Sequence, residues 1–210
     1  MTLSKHHIIR CFPALPAVLA LGLVSGCDRV TRSAGLTGLV DQVTPAPISP
    51  DRLRVTLPEV DAQATLAPVA QRDTTTVWQT LDGITLTFHK GVLTATRGLG
   101  EDLMSSDATS TTTMFEGGLE NTYYPVIRSY LDGEDQTYFR AYQCRKDLEA
   151  EQKIDIDDKT IAARRLKEVC VSPTHSFSNI YWLDGAQSVL RSRQWVSHSV
   201  GDMVTERVMR

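Results

Sequence analysis

Three Asp-Gly pairs, Asp82-Gly83, Asp132-Gly133 and Asp184-Gly185, each separate two runs of strand-like residues. An Asp-Gly step accepts the positive φ of a tight turn, and apolar/polar alternation suits a strand with one face on a core. Each unit therefore reads as a β-hairpin. In the first, Val77–Leu81 precedes the turn, and Ile84, Leu86 and Phe88 alternate with threonine after it. His89-Lys90-Gly91 is the next turn and Val92–Thr96 the next strand, broken by Gly98-Leu99-Gly100. In the second, Tyr123–Leu131 leads to Gln136–Cys144, with Tyr138, Arg140 and Tyr142 on one face. In the third, Ile180–Leu183 leads to Ser188–Val196, and Met203–Met209 is the last strand. The pairs lie 50 and 52 residues apart but match in little else, so they are independent hairpins and not a repeat. Pro125 puts its strand at an edge or delays its start. Ser105–Thr113, polar and Thr-rich, is expected to be a mobile loop. The expected fold class is all-β: an antiparallel sheet, sandwich or open barrel of about 8–11 strands built from hairpins, with a mostly irregular N-terminal tether.

The N-terminus carries a different signal. A basic start with Lys5 and Arg10 precedes an apolar run from Cys11 to Val24. That run is about 14 residues, too short for roughly 30 Å of hydrocarbon, and Pro13 and Pro16 interrupt it. This is the layout of a secretory signal peptide. It ends in Leu23-Val24-Ser25-Gly26-Cys27, which matches the lipobox of bacterial lipoproteins. The match implies cleavage before Cys27, a diacylglycerol on its sulfur and acylation of the new amino group. Each buried methylene contributes about 0.8 kcal/mol, so two or three chains anchor firmly. Asp28 holds a position that governs membrane sorting in some bacteria, and it does not decide between inner and outer membrane. The expected domains are residues 1–26, a cleaved signal peptide; 27–73, a lipid-anchored tether; and 74–210, a β domain. The tether reading rests on Pro45, Pro47, Pro50, Pro58 and Pro68 among Ala, Thr and Gln.

Losing Lys5 and Arg10 with the signal takes the formal charge from −3 to −5. A mildly acidic domain argues against nucleic acid as a partner. Of four cysteines, Cys11 leaves with the signal and Cys27 is lipidated, so Cys144 and Cys170 remain as a pair in an oxidising compartment. One disulfide is expected, worth roughly 3–4 kcal/mol by loop-closure entropy. Thr160–Val169 has helical composition, yet it lies between Ile154-Asp-Ile156 and Cys170. A strand there would bring Cys170 within reach of Cys144, and strand is the favoured reading.

The C-terminal half has the most distinctive text. It contains Tyr142-Gln143-Cys144, Glu168-Val169-Cys170, Asn179-Ile-Tyr181-Trp182-Leu-Asp184-Gly185 and Ser192-Arg193-Gln194-Trp195. Upstream stands Gly83-Ile-Thr-Leu-Thr-Phe-His-Lys-Gly91. Together these resemble the YjbF/GfcB family of lipoproteins, which are encoded with exopolysaccharide and capsule export genes. The resemblance runs from Trp78 to the C-terminus, and Ala163-Arg164-Arg165 departs from the pattern. It implies an all-β periplasmic domain and a role in secreting or assembling polysaccharide. It carries over no catalytic residues.

The residues themselves leave three readings. A glycosidase needs two carboxyl groups about 5–10 Å apart. Glu116, Glu120, Asp132, Glu134 and Glu168 are present, but in no recognisable motif. Glu168 shares a strand face with Cys170, and its expected role is structural, paired with Arg140 or Arg193. Ser192 or Ser197 with His198 is mere proximity in sequence, and His175 and His198 lack ligands at zinc spacing. No cofactor or metal is expected. A glycan binder would stack sugar rings on Trp182 or Trp195, with Tyr181 nearby and Arg191, Arg193, Gln194 and Asn179 bonding hydroxyls. The alternative for both tryptophans is the core. An assembly factor would use a sheet edge or an aromatic patch. The expected function is that of a lipid-anchored cell-envelope protein assisting exopolysaccharide or capsule secretion without catalysis. Its expected partners are the membrane, through its lipid, and polysaccharide or export-machinery proteins. Its domain is expected in the periplasm.

Overall fold

The computed structural model describes residues 45–209 except 133 and 135. The expected signal peptide, the lipidation site Cys27 and the first part of the tether lie outside the described residues.

The described chain runs through twelve strands and one short α-helix: β1 (Leu53–Leu57), β2 (Ala62–Arg72), β3 (Thr75–Gln79), β4 (Thr85–His89), β5 (Val92–Arg97), β6 (Leu103–Ser106), α1 (Thr109–Phe115), β7 (Tyr124–Leu131), β8 (Thr137–Ile156), β9 (Lys159–Val171), β10 (Ser176–Leu183), β11 (Val189–Ser197) and β12 (Gly201–Arg207). All ladders are antiparallel. The order is β5-β4-β3-β2-β1-β12-β11-β10-β9-β8-β7-β6. Only the β1–β12 ladder joins strands distant in sequence, so the sheet is a meander bent almost into a barrel, with its seam between β5 and β6. Full closure is the surest way to remove sheet edges.

Side chains finish what the ladders leave open. At the seam, Thr96 Oγ1 donates to Asp102 Oδ1 at 2.7 Å, Leu103 N donates to Thr96 Oγ1 at 3.0 Å, and Gly98 N donates to Asp102 Oδ2 at 2.8 Å. From β11, Gln194 serves the backbone of β5: its Oε1 accepts from Leu93 N and its Nε2 donates to Gly91 O, both at 2.9 Å. One amide thus replaces the peptide of a neighbouring strand, as buried backbone groups require.

The interior is packed. Leu66, Leu93, Leu103, Val196 and Met203 form its largest apolar cluster. Helix α1 inserts Met114 and Phe115, with the Phe115 ring edge-on to Tyr181 at 4.8 Å. The segment 105–113 is therefore no free loop, as it supplies the end of β6 and most of α1. Two of its threonines are buried with their hydroxyls partnered: Thr111 donates to Glu168 and Thr112 to the carbonyl of Thr109.

The expected start of the β domain at Thr74 falls inside the sheet, because β1 and β2 belong to the barrel. Their prolines are placed where no ladder N–H is needed. Pro58 opens a one-turn 3-10 helix after β1, and Pro68 sits at a register shift in the β2–β3 ladder. Pro125 follows the same rule. It lies at the start of β7, beyond the reach of β6, which pairs only with Arg128–Tyr130.

Segment 160–169 lies in β9, as favoured from context. Leu166, Glu168 and Cys170 point inward, and this burial overrides helix propensity. Cys144 and Cys170 stand directly opposite each other and form the expected disulfide. Beyond it, the β8–β9 hairpin is far longer than the expected Gln136–Cys144 strand. Its tip turns through Asp157 and Asp158, both at positive φ, and lies on the outside of the barrel. There Ile154, Ile156 and Ala163 pack with Leu190, while Asp157 accepts from Arg54 Nη2 and Met209 N, each at 2.8 Å.

Candidate functional site

Two regions gather chemistry-bearing side chains: the filled centre of the barrel and the cleft at one of its mouths.

At the centre, Glu168 is 1% exposed. Its Oε1 accepts from Thr111 Oγ1 and Tyr124 OH, and its Oε2 accepts from Asn179 Nδ2, all at 2.7 Å. These partners are three neutral donors, not the arginines expected from sequence: Arg140 stacks over the Tyr138 ring and Arg193 pairs with Asp202. Arg128, buried on β7, donates to Tyr130 OH at 3.3 Å and to Trp195 O at 2.9 Å, and its guanidinium lies 5.1 Å from the Phe177 ring centre. Tyr181 feels both charges. Burial and the Glu168 charge push its phenol well up, and Arg128 opposes them. Burial and Glu168 likewise push Tyr124 far up, so both phenols stay protonated hydrogen-bonding groups. The Cys144 and Cys170 sulfurs and a Glu168 oxygen lie within 4.8 Å of one another. The sulfurs are bonded to each other, which removes the thiolates a metal would need.

The residues expected to touch glycan or partner do not converge. Tyr181, Asn179 and Gln194 are buried. Tyr181 OH donates to Gln194 Oε1 at 3.3 Å, and Asn179 Oδ1 accepts from Trp195 N at 3.0 Å while its amide holds Glu168. Arg191 pairs with Glu206 and Arg193 with Asp202, along the β11–β12 ladder. Trp182 is half-buried on the outside, beneath Arg165 and bonded through Nε1 to Gln152 at 3.0 Å. Trp195 is half-buried at the barrel end away from the cleft, with His175 and His198, whose ring centres are 4.5 Å apart. Burial and the neighbouring His198 lower the basicity of His175. Nearby, burial raises Glu101, but the hydroxyl of Tyr138 and the N–H of Ser199 hold it below the usual carboxylate range. Tyr142 is pushed up to about 12, chiefly by burial.

The cleft was not foreseen. It has a volume of about 400 Å³ and opens where β1 begins and β12 ends. Trp78, Phe88, Phe115 and Val189 line its depth. Gln71, Asp73, Thr74, Lys90, Glu116 and Gln187 are exposed around its rim. Its walls are fixed. Lys90, on the β4–β5 turn, forms a 3.0 Å ion pair with Glu116 at the end of α1. The same turn requires glycine at 91, at φ +86, where an added Cβ would meet Val189 Cγ2 at 2.5 Å. Across the mouth, Asp184 Oδ1 accepts from Ala186 N and Ser188 N, shaping the β10–β11 turn. These residues are scattered over six turns and strand ends, so no local motif could have announced them.

Residues 41–208 match the family model described as group 4 capsule polysaccharide lipoprotein gfcB, YjbF. Among solved structures, the hypothetical lipoprotein YmcC from Escherichia coli (K12) is similar in fold, with a TM-score of 0.64 at 14% identity. The likeness covers 82% of this chain and 92% of that one. No curated protein matches the chain.

Proposed function

The chain belongs to the YjbF family of group 4 capsule polysaccharide lipoproteins, and from that premise we propose that it assists secretion or assembly of a capsule-type polysaccharide without catalysing a reaction. Family membership gives it a capsule-related role and a place in the bacterial cell envelope. The observation that carries the finer reading is the extent of the match. It spans the barrel from β1 to β12, so the family's role belongs to the barrel itself. The non-catalytic part is supported by Glu168, whose two oxygens are occupied by three side-chain donors deep in the core. In this reading a lipid on Cys27 holds the chain at the membrane, with the barrel in the periplasm and its partners among export proteins or the polymer. The test is deletion of the gene in its host, with cell-surface and periplasmic polysaccharide measured separately. Complementation by the wild-type chain should restore surface polymer, and Cys27→Ala should restore less. Normal surface polysaccharide in the deletion strain would overturn the proposal.

A further inference from the structure

The mouth cleft has the make-up of a carbohydrate site. Its volume of about 400 Å³ falls within the range of small-molecule sites, roughly 300–1,000 Å³. Its depth is aromatic and aliphatic, which suits the C–H faces of sugar rings, and Trp78 there is 9% exposed. Its rim is rich in hydroxyl and amide groups, from Gln71, Thr74, Thr76, Gln187 and Ser188. Charges in the lining balance: Asp73 and Glu116 against Lys90 and Arg207, with Lys90 and Glu116 already paired. An anion site would show an excess of cations and a lipid site an apolar rim, and this lining has neither. A neutral polyhydroxyl ligand fits both the floor and the rim.

The cleft is also blind. Below it, Phe115 of α1 packs on Tyr181, and Leu93, Leu166 and Leu183 are fully buried. A polymer cannot thread through the barrel, whereas a chain end or a branch can enter one mouth. We propose that this cleft binds a terminal or branch sugar of a neutral stretch of the polysaccharide, an inference that rests on the capsule-related reading above.

The experiment is calorimetry on the full-length protein with di- to tetrasaccharide fragments of the host's own capsular polysaccharide. Ala186→Trp and Thr74→Trp, at exposed rim positions, would be measured beside Trp182→Ala on the outer wall. Circular dichroism and thermal melting would check that each variant folds. The expected result is saturable 1:1 binding, at least tenfold weaker in both rim variants and unchanged in Trp182→Ala. Binding that both folded rim variants retain, or that Trp182→Ala abolishes, would overturn the cleft as the site and leave the capsule-related reading standing. So would an absence of binding by any fragment while the wild-type gene still restores surface polysaccharide in the deletion strain. If deletion leaves the capsule normal, it is the underlying reading that fails.

Discussion

Replacing Glu168 tests whether the barrel centre is held by a saturated carboxylate. Glu168→Ala removes the acceptor for Thr111, Tyr124 and Asn179 together. A buried donor left without a partner costs about 1–3 kcal/mol, so three would cost at most about 9 kcal/mol. Two of them have some recourse. The Tyr124 hydroxyl also reaches Met114 Sδ at 3.6 Å, and the Thr111 hydroxyl can rotate. The expected loss is therefore about 3–6 kcal/mol, a large part of the roughly 5–15 kcal/mol that holds a domain together. Glu168→Gln should behave differently. Asn179 cannot flip, because its Oδ1 already accepts from Trp195 N at 3.0 Å. The new amide oxygen must then face Asn179, and its NH2 must donate to the two hydroxyls, which can turn to accept. Every group keeps a partner, and only charge assistance is lost, about 1–2 kcal/mol. Urea titration of the disulfide-intact protein, followed by circular dichroism, gives both values. A Glu168→Ala variant within about 1 kcal/mol of wild type would refute the accounting. A Glu168→Gln variant as damaged as Glu168→Ala would show that the charge, not the count of partners, holds the site.

Reduction of the Cys144–Cys170 bond, which spans a sequence separation of 26, should lower unfolding stability by roughly 3–4 kcal/mol in urea titrations with and without reductant. His175 is less basic folded than unfolded, so the unfolded chain takes up the proton first. Stability should fall as pH drops below about 6.5, and His175→Gln should flatten that slope between pH 7.5 and 5; an equal slope in both proteins would exclude His175 as its source. Asp157→Asn removes the charge that holds the β8–β9 tip to Arg54. Hydrogen exchange should then quicken in residues 148–163 but not in β10 or β11, and uniform quickening would mean that the tip is not a separate unit.

Much of the fold was legible because it is local. Asp82, Asp132 and Asp184 mark hairpin junctions, and the alternation of Ile84, Leu86 and Phe88 reports a two-residue period that burial imposes on any strand. The disulfide was legible by elimination among four cysteines. Strands β1 and β2 were not, because Pro58 and Pro68 read as breakers until their positions at a turn and a register shift are known. The Thr-rich segment 105–113 read as a mobile loop because composition does not show that Thr111 has a buried carboxylate to meet.

The sequence by itself determined the class, the hairpin order and the family, since turns, periods and motifs are written in neighbouring residues. Only the tertiary structure decided how the meander closes and which aromatic residues are reachable. Trp182 and Trp195, prominent in the text, went to opposite uses on an outer wall and a far end, while Trp78 went to the depth of the cleft. The physical reason is the closure of the sheet. Ladder register and barrel curvature bring Trp78, Lys90, Glu116 and Gln187 to one mouth from distant parts of the chain, and that convergence is a property of the nearly closed sheet, not of any stretch along it.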